Sequence, residues 1–559
     1  MNAQIQDPQS RRALFTNGKF FSKAAGNSPV HVESPFLDSL LVNGGLIEHI
    51  GSEDDSVVVQ ARQAGVPVYD MRQRTILPGF IDGHMHFLLL GQSLQKLSLE
   101  GCKSLEEIRG RIKEYSQAHP SAPRILCRGW MHSMTNGAAE ASMLDDLDER
   151  PIFIDSKDLH STWCNSAALA EMGVEAMPDP VGGSISRDAS GKPSGLLSEA
   201  AVLTIIWPHI ATVATIDEKL SALKAAIAAY NQCGYTGLID MAMDENAWEA
   251  LQVLRSKGEI SVRIAAHWLI TPSNSDAERL AQVDRAIALS KVFNAETSPD
   301  FRIVGIKVIC DGVIDACTAA LLEPYSSNTV NADPLWTTDM LAPVVKRADD
   351  AGLQCALHAI GDRAVRLAVD TLETCCLSAP TSATGERRHR IEHLELASPE
   401  DARRLGKLGI TASIQPVHAD PAILRAWPKL LGEERLGRAF AYKEFLDGGA
   451  TLALGSDSPT APHDPLRNIY TATTRRSARE PESEATVNNH FVISLCDAVS
   501  AATAGAAYSC FADKRTGSLQ PGLQADFVVL DMEWEASLLL NASVKETWFG
   551  GEKVYDSGL

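Results

Sequence analysis

The sequence predicts an α/β fold: a (β/α)8 TIM barrel, with a composite β-sandwich domain from both chain ends and an insertion after the first barrel strand. Three observations carry this reading. Strand-like apolar runs alternate with helical patterns through the middle of the chain. Both ends consist of short pieces with β texture. Histidine, lysine and aspartate recur at the ends of the apolar runs, where a barrel does its chemistry.

The elements follow in order. Residues 12–76 contain RALFTNGKFF, DSLLVNGGLIEHIG and SVVVQARQAGVPVYDM, read as β-like pieces punctuated by Asn and Gly. GSLQPGLQADFVVLDM and VKETWFGGEKVY at the other end have the same texture. Residues 1–76 with 513–559 are therefore expected to form the sandwich, and 77–512 the barrel. Eight strands are expected at 75–87, 236–241, 262–270, 301–310, 354–360, 388–394, 410–416 and 450–457. Helical stretches between them, such as IDEKLSALKAAIAAYNQCG, run into a terminating glycine. The first two strands lie far more than one crossover apart, so 88–215 reads as an inserted lid or subdomain.

Composition narrows the function classes. The 559 residues hold 51 basic and 71 acidic side chains, so the formal charge of 51 − 71 = −20 opposes non-specific binding to nucleic acid or anionic membrane. Eleven cysteines occur without a CxxC pair, several inside apolar runs, which reads as reduced, buried thiols. The N-terminus has no apolar leader segment and no run is long enough to span a bilayer. The expectation is a soluble, cytoplasmic protein; the charge balance says nothing positive about its substrate.

His84 and His86 form His-Met-His at the end of the first strand. Side chains at i and i+2 of a strand share a face, so both imidazoles point the same way. His358 and His393 stand near the ends of the fifth and sixth strands, and Asp457 ends the eighth. Each alone has an ordinary structural reading, as a satisfied polar residue or a turn aspartate. Lys307 sits in the fourth strand among Ile303, Ile306, Val308 and Ile309. A lysine there is either half of a core ion pair or a desolvated amine that reacts with CO2 to become a bridging carbamate ligand. The ordered set suits a divalent cation, Zn2+ before Fe2+, Mn2+ or Ni2+. His160, in the inserted region, is a candidate substrate contact. Trp130, His418, Asp311 and Asp362 are weaker candidates, with packing or turn chemistry as the ordinary reading.

These motifs resemble the amidohydrolase superfamily, in its amidohydrolase family 3, or YtcJ-like, branch. LPGFIDGHMHF is similar to that family's first-strand motif, and DSKDLHSTWCNSAAL to a segment of the branch. IKVICDGVIDACTAALLEPY, LHAIGDRAV, RIEHLE, SIQPVHAD and LGSDSP follow in family order. The resemblance implies metal-dependent hydrolysis of an amide-type C–N bond, with one or two ions held by His84, His86, Lys307, His358, His393 and Asp457. It implies Asp457 as general base, with His393 and His358 completing the metal shell or stabilising the oxyanion, and a homodimer by analogy with the family. Cyclic-amide opening, deamination, decarboxylation or isomerisation on the same barrel stay open, as does an inactive barrel scaffold.

Overall fold

The structure is a computed structural model that describes residues 12–22, 35–157, 159–180, 183–327, 331–376 and 387–558. Two compact units emerge. One comprises Met1–His86, Ile227–Asp244 and Gly258–Leu559, the other Phe87–Ala226 and Glu245–Lys257.

In the first unit, eight strands form a parallel sheet in chain order: Phe80–Met85, Tyr235–Met243, Arg263–Ile270, Phe301–Ile309, Gln354–Ala359, Arg390–His393, Thr411–Ile414 and Leu452–Leu454. The first and eighth strands meet at their C-terminal ends, where Asp457 N–H donates to His84 O at 2.7 Å and His86 N–H to Ser458 O at 2.9 Å. These bonds close the (β/α)8 TIM barrel at the end where His84, His86 and Asp457 stand. Gly83 and Gly455 permit the approach: a Cβ on Gly455 would lie 2.4 Å from His84 N, and one on Gly83 2.7 Å from Leu454 O. The barrel core holds Ile81, Ile239, Met241, Ala265, Val304 and Ala356. Ala506, Ala507, Cys510 and Ala512 join it, small residues of the segment after the last strand that pack against those side chains.

The chain ends share a second sheet of eight strands, in which Phe527–Asp531 pairs antiparallel with Thr75–Pro78 and leads on to Arg12–Phe21. Phe15 packs edge-on against Phe527 and Trp548, and these aromatics with Leu40, Val42 and Ile76 form its core. Asn43-Gly44-Gly45 and Gly550-Gly551 turn the two hairpins, with glycine φ of +59°, +85°, +57° and +78°. Two sequence readings need correction here. The run at 75–87 is two strands, because Thr75–Pro78 pairs in the terminal sheet and only Phe80–Met85 enters the barrel. Ser56–Gln63, β-like by its valines, is a helix; Val58 and Ala61, spaced i, i+3, bury one face against Leu14 and Leu41.

The second unit is built on a six-stranded mixed sheet, from Leu97–Ser98 through Ile125–Trp130, Ile152–Ser156, Ser161–Cys164 and Pro193–Glu199 to Gly183–Arg187. Apolar clusters cover it, one around Trp130 and Trp163 and another around Phe153, Cys164 and Leu197. Asn165 ties this unit together. Its Oδ1 accepts from Ala168 N–H and Ile152 N–H, both at 2.9 Å, which caps the helix Ser166–Met172 and fastens it to the sheet. The described cysteines form no disulfide.

Candidate metal centre

The first barrel strand delivers His84, fully buried, and His86, partly open, to one carboxylate. His84 Nε2 lies 3.4 Å and His86 Nε2 3.2 Å from the same Asp457 oxygen. The third member of this convergence is fixed by its backbone. Asp457 sits at φ +57°, a left-handed conformation uncommon outside glycine, which aspartate tolerates better than most residues and which recurs at functional sites. Buried Asp82 anchors the residue before it, accepting from Ser456 N–H at 2.8 Å, from Ser456 Oγ at 2.6 Å and from the Tyr230 hydroxyl at 2.7 Å. Burial alone would push the Asp457 carboxyl up, but the facing His84 and His86 imidazoles hold it well below the usual carboxylate range. It is therefore ionised at neutral pH and able to accept a proton or bind a cation.

His84 is oriented from behind. Its Nδ1 contacts Glu392 at 2.6 Å inside the barrel, leaving Nε2 for the site. A carboxylate on the far nitrogen of an imidazole is the usual support of a metal-binding histidine. The His393 ring lies with its centroid 4.8 Å from that of His84 and 4.3 Å from that of His358. Burial, with the neighbouring His358 and His84, keeps His393 well below the ordinary histidine range, and burial with Lys307 brings His358 down to about 3. Both are neutral, the form that ligates metals. His393 Nδ1 and His358 Nε2 are buried without a hydrogen-bond partner among the described residues. Convergent imidazole nitrogens, an ionised carboxylate and two orphaned buried nitrogens fit a borderline divalent cation such as Zn2+.

Lys307 is buried, and no carboxylate lies within ion-pair distance of it among the described residues. Burial draws its amine down to about 8, against the opposing pull of Glu392 and Asp457. Asp311 stands beside His358, 3.5 Å from Nε2, and accepts from the backbone of Ala320, Ile360 and Gly361 at 2.9–3.0 Å. Asp362 instead starts the helix Asp362–Cys376 and accepts from Leu322 N–H. Trp130 is a core residue of the second unit, against Trp163 and His132. His160, in the same unit, pairs through Nδ1 with Glu199 at 2.8 Å and is a third exposed. Asp158, in the same sequence motif, lies outside the described residues.

The site contains groups that strand patterning does not single out. Glu392 and Glu395 escape it, and His418 carries little weight in it. His418 Nδ1 meets Glu395 at 3.0 Å and its Nε2 lies 3.5 Å from Asp457. His393, Glu395 and His418 form a second group whose ligand atoms lie within 4.8 Å of one another, beside the group His84, His86 and Asp457. The available signal is the spacing itself: RIEHLE places two acids around one histidine, and QPVHADP brings a histidine at the seventh strand's end.

A family model described as the amidohydrolase family matches residues 67–555. The protein LONG AFTER FAR-RED 3 of Arabidopsis thaliana is 31% identical over 97% of this chain and 91% of its own length. An N-substituted formamide deformylase of Arthrobacter pascens is 25% identical over 90% of this chain and 92% of its own. The crystal structure of an uncharacterized metal-dependent hydrolase from Pyrococcus furiosus matches with a TM-score of 0.76 at 25% identity, over 94% of this chain and all of that one. A barrel that gathers histidines and an aspartate at its strand ends, matched nearly end to end by these proteins, places the chain in the amidohydrolase family.

Proposed function

We propose that this protein is a metal-dependent hydrolase that cleaves an amide-type C–N bond of a small molecule. The observation that carries the reading is the convergence of His84, His86 and ionised Asp457, with the orphaned nitrogens of His358 and His393 close by. The relative named as a formamide deformylase supports the amide class. His84, His86 and Asp457 would hold one divalent cation, zinc being favoured by the imidazole donors, and His358 and His393 a second. Lys307 would bridge them as a carbamate, since a buried amine near 8 has a substantial neutral fraction to attack CO2. A bound cation supplies Lewis acidity to the scissile carbonyl and to water. Asp457 takes the proton of the attacking water and returns it to the leaving nitrogen, a base–acid shuttle that an ionised carboxylate can run. Glu392 keeps the His84 ring in register throughout.

His160 is proposed as a substrate contact. Leu159 and Glu199 beside it hold left-handed φ of +63° and +56°, strain of the kind that collects at functional loops. His160→Ala should raise KM or lower kcat at unchanged metal content; unaltered kinetics would leave it a structural residue. The overall reading is tested with chelator-treated protein and a panel of N-acyl amines, N-formyl amines and cyclic ureides, scored for release of amine or carboxylate. Turnover restored by Zn2+ or Mn2+ is expected. Metal-independent turnover, or none on any C–N substrate with a full metal complement, would overturn it.

A further inference from the structure

Behind the candidate metal centre, the barrel interior contains a fully buried arginine whose donors converge on the support of His84. Arg390 and Glu392 stand two residues apart on the sixth strand, so they face the same side. Arg390 Nε donates to Glu392 Oε1 at 2.6 Å, and Nη2 to Glu392 Oε2 at 3.1 Å. Nη2 also donates to Gly83 O at 2.6 Å and to Ser413 Oγ at 2.8 Å, and Nη1 to Ser509 Oγ at 3.0 Å. One guanidinium thus grips the histidine by two routes. It locks the carboxylate that holds His84 Nδ1, and it binds the carbonyl of the residue immediately before His84. Gly83 cannot shift toward the eighth strand to compensate, because Leu454 O already fills the place of a side chain there.

The network extends beyond the site. Ser509 lies in the short helix Ala506–Ser509 that follows the barrel strands, and its carbonyl accepts from Gln354 Nε2 at 2.8 Å. Gln354 Oε1 meets His267 Nε2 at 2.7 Å on the third strand. Hydrogen bonds therefore link residues of the first, third, fifth, sixth and seventh strands and the segment after the barrel to one imidazole. Arginine suits this role because its planar fork binds carboxylate in two places with fixed geometry, whereas lysine offers a point charge.

We propose that Arg390 is the positioning residue of the metal centre, setting the orientation of His84 through Glu392 and Gly83, with Ser509 as its rear anchor. The proposal rests on the metal-centre reading above. Groups that support a metal-binding histidine typically contribute about 10–100-fold to metal affinity. The test uses full-length protein, with Zn2+ affinity measured by competition against a chromophoric chelator and ligand geometry read from the visible absorption of the Co2+-substituted form. Arg390→Met should weaken Zn2+ binding by about 10–100-fold and alter the Co2+ bands, and Arg390→Lys should recover only part of the loss. Ser509→Ala removes one anchor and leaves the Arg390–Glu392 pair in place; it should weaken Zn2+ binding in the same direction by a smaller factor and keep the far-UV circular dichroism of the wild type. If the Arg390 variants fold poorly, Ser509→Ala alone decides. Wild-type Zn2+ affinity and Co2+ spectrum in folded Arg390→Met, or in Ser509→Ala where the arginine variants fail to fold, would overturn the proposal while leaving the metal centre intact. A wild-type chain that binds neither ion would overturn both.

Discussion

At the scale of single residues, the site separates two carboxylate roles by environment. Glu392 is enclosed by Arg390 and His84 and has no freedom to exchange protons, whereas Asp457 faces the imidazoles with one oxygen near His418. Asp457→Asn keeps the size and removes the carboxylate proposed as the base. It should cut kcat at least ~10²-fold, while bound metal measured by elemental analysis falls only modestly. Near-wild-type turnover would remove Asp457 from its role. Lys307 supplies a second residue-level expectation, on the metal-free protein. Its folded pKa of about 8 lies below the ordinary 10.5, so between these values the unfolded chain binds more protons and stability rises with pH. The cost of the buried charge, about 3 kcal/mol, is fully present below pH 8 and relieved toward pH 10.5. Urea unfolding at about pH 7.5 and about pH 10 should show the wild type gaining stability relative to Lys307→Met as pH rises. A constant difference between the two would show that Lys307 is not held as a strained cation.

At the scale of elements, the eight barrel strands are legible in the sequence because buried parallel strands are short apolar runs separated by helical periodicity. The register of the site is less so. Alternation along the sixth strand would send Glu392 and His393 to opposite faces. Left-handed φ values of +75° at His393 and +52° at Leu394 break that alternation and bring the His393 ring to His84 and His358. No residue type announces this, since neither position is glycine. For the same reason Glu392 and Glu395 stay hidden in the motif that reveals His393. The junction of the first and eighth strands is equally unreadable, because it depends on what lies across from Gly455 and Gly83. Gly455→Ala would drive a methyl group into the backbone of His84, which cannot move aside. A melting temperature several degrees lower, with reduced metal binding, is expected from overpacking of about 1–3 kcal/mol. Gly101→Ala, where a Cβ meets open space, serves as the control and should leave both unchanged. Equal behaviour of the two variants would contradict the close approach.

At the scale of the whole molecule, the barrel separates stability from chemistry. The terminal sheet and the small residues at 506–512 bury apolar surface away from the strand ends, and the ionisable groups gather where the first and eighth strands meet. Removing the proposed ligands should therefore leave the fold standing. The central claim is that this gathering is a metal centre, and the most direct measurement is the metal content of purified protein, wild type against the His84→Ala/His86→Ala double variant, with circular dichroism confirming the fold of both. The account predicts one or two equivalents of divalent metal in the wild type and less than about a tenth of that in a folded double variant, with hydrolysis lost alongside. Full metal occupancy in the double variant, or a wild-type chain that stays metal-free in Zn2+-replete medium, would contradict it.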